Sequence, residues 1–211
     1  MAQYNIIAES QEYTVVAEYD HVATPAESFQ SEADLEKEFI RLLGEQGYEY
    51  LPIHTEADLI SNLRTQLEKL NHYHFTDSEW EHFFNECIVN KNDDIVAKTQ
   101  KIQDDYIQVL KRDTGESRNI KLIDKDNIHN NFVQVINQYV EEGGNYDTRY
   151  DVSILVNGLP LVHIELKRRG VQLKEAFNQI NRYQRDSFWA GCGLYEYVQI
   201  FVISNGTNTK Y

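Results

Sequence analysis

The chain has 211 residues, 41% of them hydrophobic, and 34 acidic side chains against 20 Lys and Arg give it a formal net charge of −14. That is enough apolar material for one domain with a substantial core, while two cysteines exclude a disulfide framework or a cysteine-built metal centre. The charge excludes a uniformly basic surface, so any contact with nucleic acid has to come from a locally segregated patch. No apolar leader and no apolar run near the ~20 residues needed to cross a bilayer occurs, which with unpaired cysteines reads as a cytoplasmic protein without a membrane partner.

In chain order, Tyr13 to Tyr19 alternates weakly and reads as a peripheral strand. Ser31 then opens a helix: its hydroxyl can cap, Asp34 stands at N3, and Leu35, Phe39, Leu42, Leu43 and Gln46 recur at helical spacing before Gly47 stops it. Glu32 and Glu36 lie one turn apart on this helix. An acid-rich first turn is what the helix dipole favours, so they are left outside the catalytic set. A short strand is expected around Tyr48 to Ile53, then a helix from about Ala57 to Leu70 with Leu59, Leu63, Leu67 and Leu70 on one core stripe.

His72 and His74 flank Tyr73 without a third metal ligand and read as exposed loop residues. Thr76 and Glu79 form a capping box for a third helix that buries Trp80, Phe83, Phe84, Cys87 and Ile88. Glu79 and His82 have the E-x-x-H spacing of di-iron bundles, but no second copy exists. Residues 93 to 103 look helical. Residues 105–112 and 118–124 flank Thr114-Gly115 as a hairpin, and Asn131 to Val140 is a further strand.

Tyr150 to Gly170, YDVSILVNGLPLVHIELKRRG, organises the rest. It reads as two apolar strands joined at Asn157-Gly158. Strand alternation puts Glu165 and Lys167 on one face and Ile164 and Leu166 on the other. A three-residue connection, Asn157 to Leu159, with a G1-type bulge at Gly158 would set Asp151 opposite Glu165, whereas a strict two-residue turn would turn Asp151 away. Two carboxylates and a lysine then converge. Carboxylates in that arrangement repel unless a cation sits between them, and hard oxygen ligands point to Mg²⁺ rather than zinc. A lysine beside such a site can orient a water and stabilise charge growing on a phosphate, which suits phosphodiester hydrolysis. The competing reading of the triplet alone is a structural ion pair at a strand end.

The helix expected from about Val171 to Asp186 turns Leu173, Ala176, Phe177 and Ile180 toward the sheet, with Gln179 and Tyr183 one turn apart on a neighbouring face. On spacing alone these two read as surface and core residues. Tyr197 to Ile203 reads as a buried strand reached by a right-handed crossover. From Glu165 to Arg185 the cations Lys167, Arg168, Arg169, Lys174, Arg182 and Arg185 face only Glu165 and Glu175, a basic island on an acidic body. Arg168, Arg169, Lys174 and Arg182 are therefore candidates for phosphate contact, the alternative being an ordinary solvated helix face.

Asp151 followed by Glu165-Leu166-Lys167 resembles the PD-(D/E)xK nuclease signature, and Gln179 with Tyr183 matches the Q-x-x-x-Y pattern of helicase-linked nucleases in that superfamily. The segments SEADLEKEFIRLLGEQGYEYL, RYDVSILVNGLPLVHIELKRRG, EAFNQINRY and QIFVISNGT extend the resemblance to nearly the whole chain, toward the N-terminal endonuclease domain of the restriction (motor) subunit of type I restriction-modification enzymes. Tyr150 departs from the signature's proline at a position that carries no ligand. The resemblance implies that Asp151 and Glu165 hold catalytic Mg²⁺, that Lys167 helps activate the attacking water, and that Gln179 and Tyr183 are accessory residues for cleavage.

It further implies a single α/β domain over residues 1–211: a restriction-endonuclease-like mixed sheet flanked by helices, with a helical insertion between the first helix and the strands, a catalytic core at about 105–206 and a helical region at about 31–103. No G-x-x-x-x-G-K-[ST] loop is present, so ATP would bind only in a full-length subunit whose motor domains lie downstream. Duplex DNA and the methyltransferase and specificity subunits are the expected partners. Two other readings stay open: a docking or regulatory module inactive in isolation, and another PD-(D/E)xK enzyme such as a repair nuclease or resolvase.

Overall fold

The computed structural model describes residues 4–9, 15–19, 31–141, 148–169, 173 and 191–211. Its spine is a mixed sheet in the order β1-β2-β10-β9-β8-β7-β6-β3, built from β1 (Tyr4–Glu9), β2 (Val15–Tyr19), β3 (Glu49–Tyr50), β6 (Val133–Glu141), β7 (Thr148–Val156), β8 (Leu159–Leu166), β9 (Ile200–Ser204) and β10 (Thr209–Lys210). β4 (Ile107–Lys111) and β5 (Ser117–Lys121) form a separate hairpin. β6, β7 and β8 run antiparallel in succession, whereas β9 lies parallel to β8 and β3 parallel to β6. The α/β class is thus as the sequence indicates. β1 was not anticipated, and the strand expected at Tyr197 to Ile203 is a 3₁₀ turn, Leu194–Tyr197, followed by β9.

Four α-helices are described: α1 (Glu32–Glu45), α2 (Glu56–Asn71), α3 (Asp77–Phe83) and α4 (Ile95–Gln103). Each begins on a side-chain cap that takes up an otherwise unpaired backbone N–H, Ser31, Thr55, Thr76 and Asp94 respectively. Thr76 and Glu79 form the full capping box. Glu79 is buried and also accepts from Tyr73 Oη at 2.6 Å and from the Asp113 amide at 3.3 Å. It is therefore spent on structure, not on a metal. His72 is the left-handed cap of α2, and His74 is exposed beside Glu68. Cys87 and Cys192 are both free. Among the described residues, no helix is long and apolar enough to cross a membrane.

Strand alternation divides the core in two. Ile136, Leu155, Leu159 and Leu161 face a large core with Leu59, Leu63 and Leu67 of α2, the aromatics of α3 and the tyrosines 139, 150, 195 and 197. Val135, Val152, Ile164 and Leu166 face a smaller one covered by Leu35, Phe39, Ile40 and Leu43 of α1. Such burial is worth about 1.5–3 kcal/mol for each large aliphatic side chain, so α1 and α2 clamp the β6–β7–β8 hairpins from opposite sides.

Candidate active site

Asn157 and Gly158 both adopt positive φ, +52° and +85°, and Val156 pairs directly with Leu159. The connection is thus a two-residue turn of the type whose twist matches that of its strands, not the three-residue loop expected from the sequence. The extra residue sits further along. Ile154 pairs with Val162 and Leu155 with Pro160, leaving Leu161 as a bulge, and from there Ser153 meets His163 and Val152 meets Ile164. That register carries Asp151 opposite Glu165, as expected, by a different device. Asn157 is fully buried and fixed: it donates to Leu122 O and accepts from the Phe132 amide.

Glu165 is completely buried, near the carboxyl end of β8 beside the parallel strand β9. Its Oε1 accepts from Lys167 Nζ at 2.8 Å, whereas its Oε2 is buried without a hydrogen-bond partner and lies 3.6 Å from His163 Nε2. Asp151 Oδ2 accepts from the Leu166 amide at 2.9 Å, which ties it to the same strand end. Burial first, and then the charge of Glu165, push the Asp151 carboxyl up to about 7. Burial alone would lower the Lys167 ammonium, but its hydrogen bond to Glu165 and the charges of Glu165, Asp151 and Glu32 outweigh that and raise it. Lys167 is therefore an ammonium at neutral pH, a donor and not a base.

Two residues set aside at the sequence level also reach this end of the sheet. Glu32 Oε1 accepts from the Arg168 amide at 3.1 Å, and Glu36 accepts from Asn137 Nδ2 at 2.6 Å and from Gln138 Nε2, adding its charge to those that raise Asp151. The dipole explanation for an acidic first turn hid this, because nothing local distinguishes an acid that faces solvent from one that faces a distant strand. Arg168 is exposed, and Arg169 Nη2 lies 3.4 Å from Gly206 O. Gln179, Tyr183, Lys174 and Arg182 lie outside the described residues, as does most of the helix expected to carry them; Leu173 is described, buried against Phe201 and Ile203.

The donor set fits a hard divalent cation. A buried carboxylate oxygen without a partner, next to a second carboxyl whose charge is suppressed, is an anionic site short of positive charge. Among the described residues no three His, Cys, Asp or Glu side chains are grouped to hold a metal alone. Two carboxylates, with the remaining positions left to water and phosphate, is how Mg²⁺ is commonly held.

The family described as type I restriction enzyme R protein N terminus matches residues 29–211. The chain is 48% identical over 206 residues to the type I restriction enzyme EcoprrI endonuclease subunit of Escherichia coli, covering 97% of this chain and 66% of that one. It is 39% identical over 188 residues to the SsaAORF53P endonuclease subunit of Staphylococcus saprophyticus, covering 87% of this chain and 19% of that one. It is 36% identical over 108 residues to a putative type I endonuclease subunit, MjaIXP, of Methanocaldococcus jannaschii, covering 47% of this chain and 10% of that one. The chain is an α/β domain, and it belongs to the type I restriction enzyme R protein N-terminal family. It spans from about a tenth to two thirds of the length of these relatives.

Proposed function

We propose that this domain is the Mg²⁺-dependent endonuclease of a type I restriction-modification enzyme and hydrolyses phosphodiester bonds of duplex DNA. The observation that carries this reading is the pairing of half-buried Asp151 with fully buried Glu165, served by one ammonium, Lys167, with Glu165 Oε2 left without a hydrogen bond. Asp151 and Glu165 would hold the cation, which when bound supplies Lewis-acid stabilisation of negative charge on the phosphate. Lys167 stays protonated, so it orients the attacking water and donates to a phosphate oxygen rather than removing a proton. Water adds to phosphorus in line as the bond to the leaving sugar oxygen breaks.

Arg168 is exposed next to this centre and, with Arg169, Lys174 and Arg182, would supply sequence-independent phosphate contacts. Gln179 and Tyr183 would support cleavage from the helix after β8. In the whole subunit, downstream motor domains would use ATP to translocate DNA in the cytoplasm, and the methyltransferase and specificity subunits would choose where the complex starts.

The test is cleavage of supercoiled plasmid by the assembled complex with ATP and Mg²⁺, beside folded Asp151→Ala and Lys167→Ala variants. Loss of a charge-stabilising donor in a buried site typically lowers rate by about 10²–10³. Lys167→Ala should fall by that much while ATP hydrolysis continues. Cleavage at the wild-type rate by both variants would remove the site from consideration, and cleavage by neither variant with translocation intact would support it.

A further inference from the structure

Gln138 is a non-glycine residue at φ +52° in the middle of β6, where side chains rarely adopt that backbone. Its neighbours show what the conformation does. Asn137 pairs with Val152 and Tyr139 with Tyr150, so no residue is gained or lost across the ladder. Yet alternation fails on both strands at this point. Asn137 and Gln138, consecutive residues, both send their amides to Glu36 of α1, while Tyr139 is buried in the opposite core and stacks on Tyr150 at 6.2 Å. On β7, Val152 belongs to the α1 core and Tyr150 to the other, although residues two apart in a strand should share a face. The residue between them is Asp151.

We infer that Gln138 is a positioning residue for the nuclease centre: its left-handed backbone makes β6 and β7 change faces together at Asp151, and its carboxamide, with that of Asn137, holds Glu36 of α1 toward that carboxylate. The device explains why one strand can present Tyr150 to the large core, Val152 to the small one and Asp151 to neither. It also explains why α1, otherwise packed through Leu35, Phe39 and Leu43, has its first two turns drawn over the catalytic end of the sheet. A backbone state that most residues avoid persists only where the surroundings over-determine it, and such states concentrate at functional sites.

This inference rests on the proposed cation site, and its test separates the two. Mn²⁺ binding to the full-length endonuclease subunit, without ATP, is measured by electron paramagnetic resonance, and the component lost in Asp151→Asn is taken as the signal. Gln138→Gly keeps the left-handed backbone but removes the carboxamide, and should weaken that component about tenfold, the size of effect typical of groups that hold a ligand in place, with no fall in the thermal midpoint beyond that of a surface change. Gln138→Asn, which retains an amide and tolerates left-handed φ, should recover most of the affinity. Gln138→Val, whose branched side chain opposes that φ, should lose the component. Wild-type Mn²⁺ affinity in both the Gly and the Val variants overturns the inference while leaving the site intact. Absence of any Asp151-dependent component in the wild type removes the site and the inference together.

Discussion

Asp151→Asn should abolish DNA cleavage and, at the same time, make the cation-free protein more stable at pH 8. The loss follows from removing one of the two carboxylates proposed to hold the cation. The gain follows from the sign of the shift. Asp151 in the folded chain holds its proton up to about 7, well above its ordinary value near 3.8, because burial and Glu165 penalise its charge. The folded state therefore binds more protons than the unfolded state between about pH 4 and 7, and stability falls as pH rises through that window. A shift of this size corresponds to about 2–4 kcal/mol above pH 7. Asparagine carries no charge at any pH and can still accept from the Leu166 amide, so the variant should lack the Asp151 share of the decline. Glu141, pushed up to about 8 by burial and the charge of Glu56, contributes a decline of the same sign that the substitution leaves in place.

Mg²⁺ should supply the converse. A ligand that binds only the folded state raises its stability, so Mg²⁺ should stabilise the wild type at pH 8 and leave Asp151→Asn unchanged. Urea midpoints at pH 5 and pH 8, with and without Mg²⁺, read all four quantities. A variant no more stable than wild type at pH 8, with equal Mg²⁺ stabilisation in both, would contradict the electrostatic description of the site.

Gly158→Ala should be the most damaging small substitution in the hairpin. A Cβ at this position would lie 2.6 Å from Leu63 Cα and 3.1 Å from Leu63 N, both backbone atoms of α2, and φ is +85°. The helix backbone cannot move aside as a flexible side chain could, and Leu63 itself is fully buried. Strain at positive φ and overpacking each cost about 1–3 kcal/mol, so the sum is a large share of the ~5–15 kcal/mol that holds a typical domain together. Gly115 offers the control. It has the same φ of +85° with nothing within 4 Å, so Gly115→Ala should cost only the backbone strain. Equal urea midpoints for the two variants would show that α2 does not press on the turn. Displacing α2 also displaces the turn that sets the β7–β8 register, so cleavage should fall in Gly158→Ala even at temperatures where it stays folded.

What the sequence made legible was the local chemistry. Caps at Ser31 and Thr76, the leucine stripe of α2 and the Asn157-Gly158 turn depend on neighbours within a few residues, and each is where it was expected. The pairing of Asp151 with Glu165 was legible too, although the compensating bulge falls at Leu161 instead of in the turn. A turn type and a bulge change register by one residue each, so the pattern of apolar residues fixes only their sum. Glu36 was noticed but set aside, and Gln138 was not legible. Their roles depend on which face of a strand meets a helix a hundred residues earlier, and on a backbone state that Gln does not advertise. The basic island is described only in part: Arg168 and Arg169 flank the site, while Lys174 and Arg182 lie outside the described residues.

The most direct measurement is anomalous scattering from crystals grown with Mn²⁺ and a DNA duplex. The expected result is a peak between the Asp151 and Glu165 carboxylates, within ligand distance of both and of a phosphate oxygen, with Lys167 Nζ directed at the scissile group. A structure in which Glu165 keeps Lys167 as its sole partner and no peak lies beside Asp151, while DNA is bound, would contradict it.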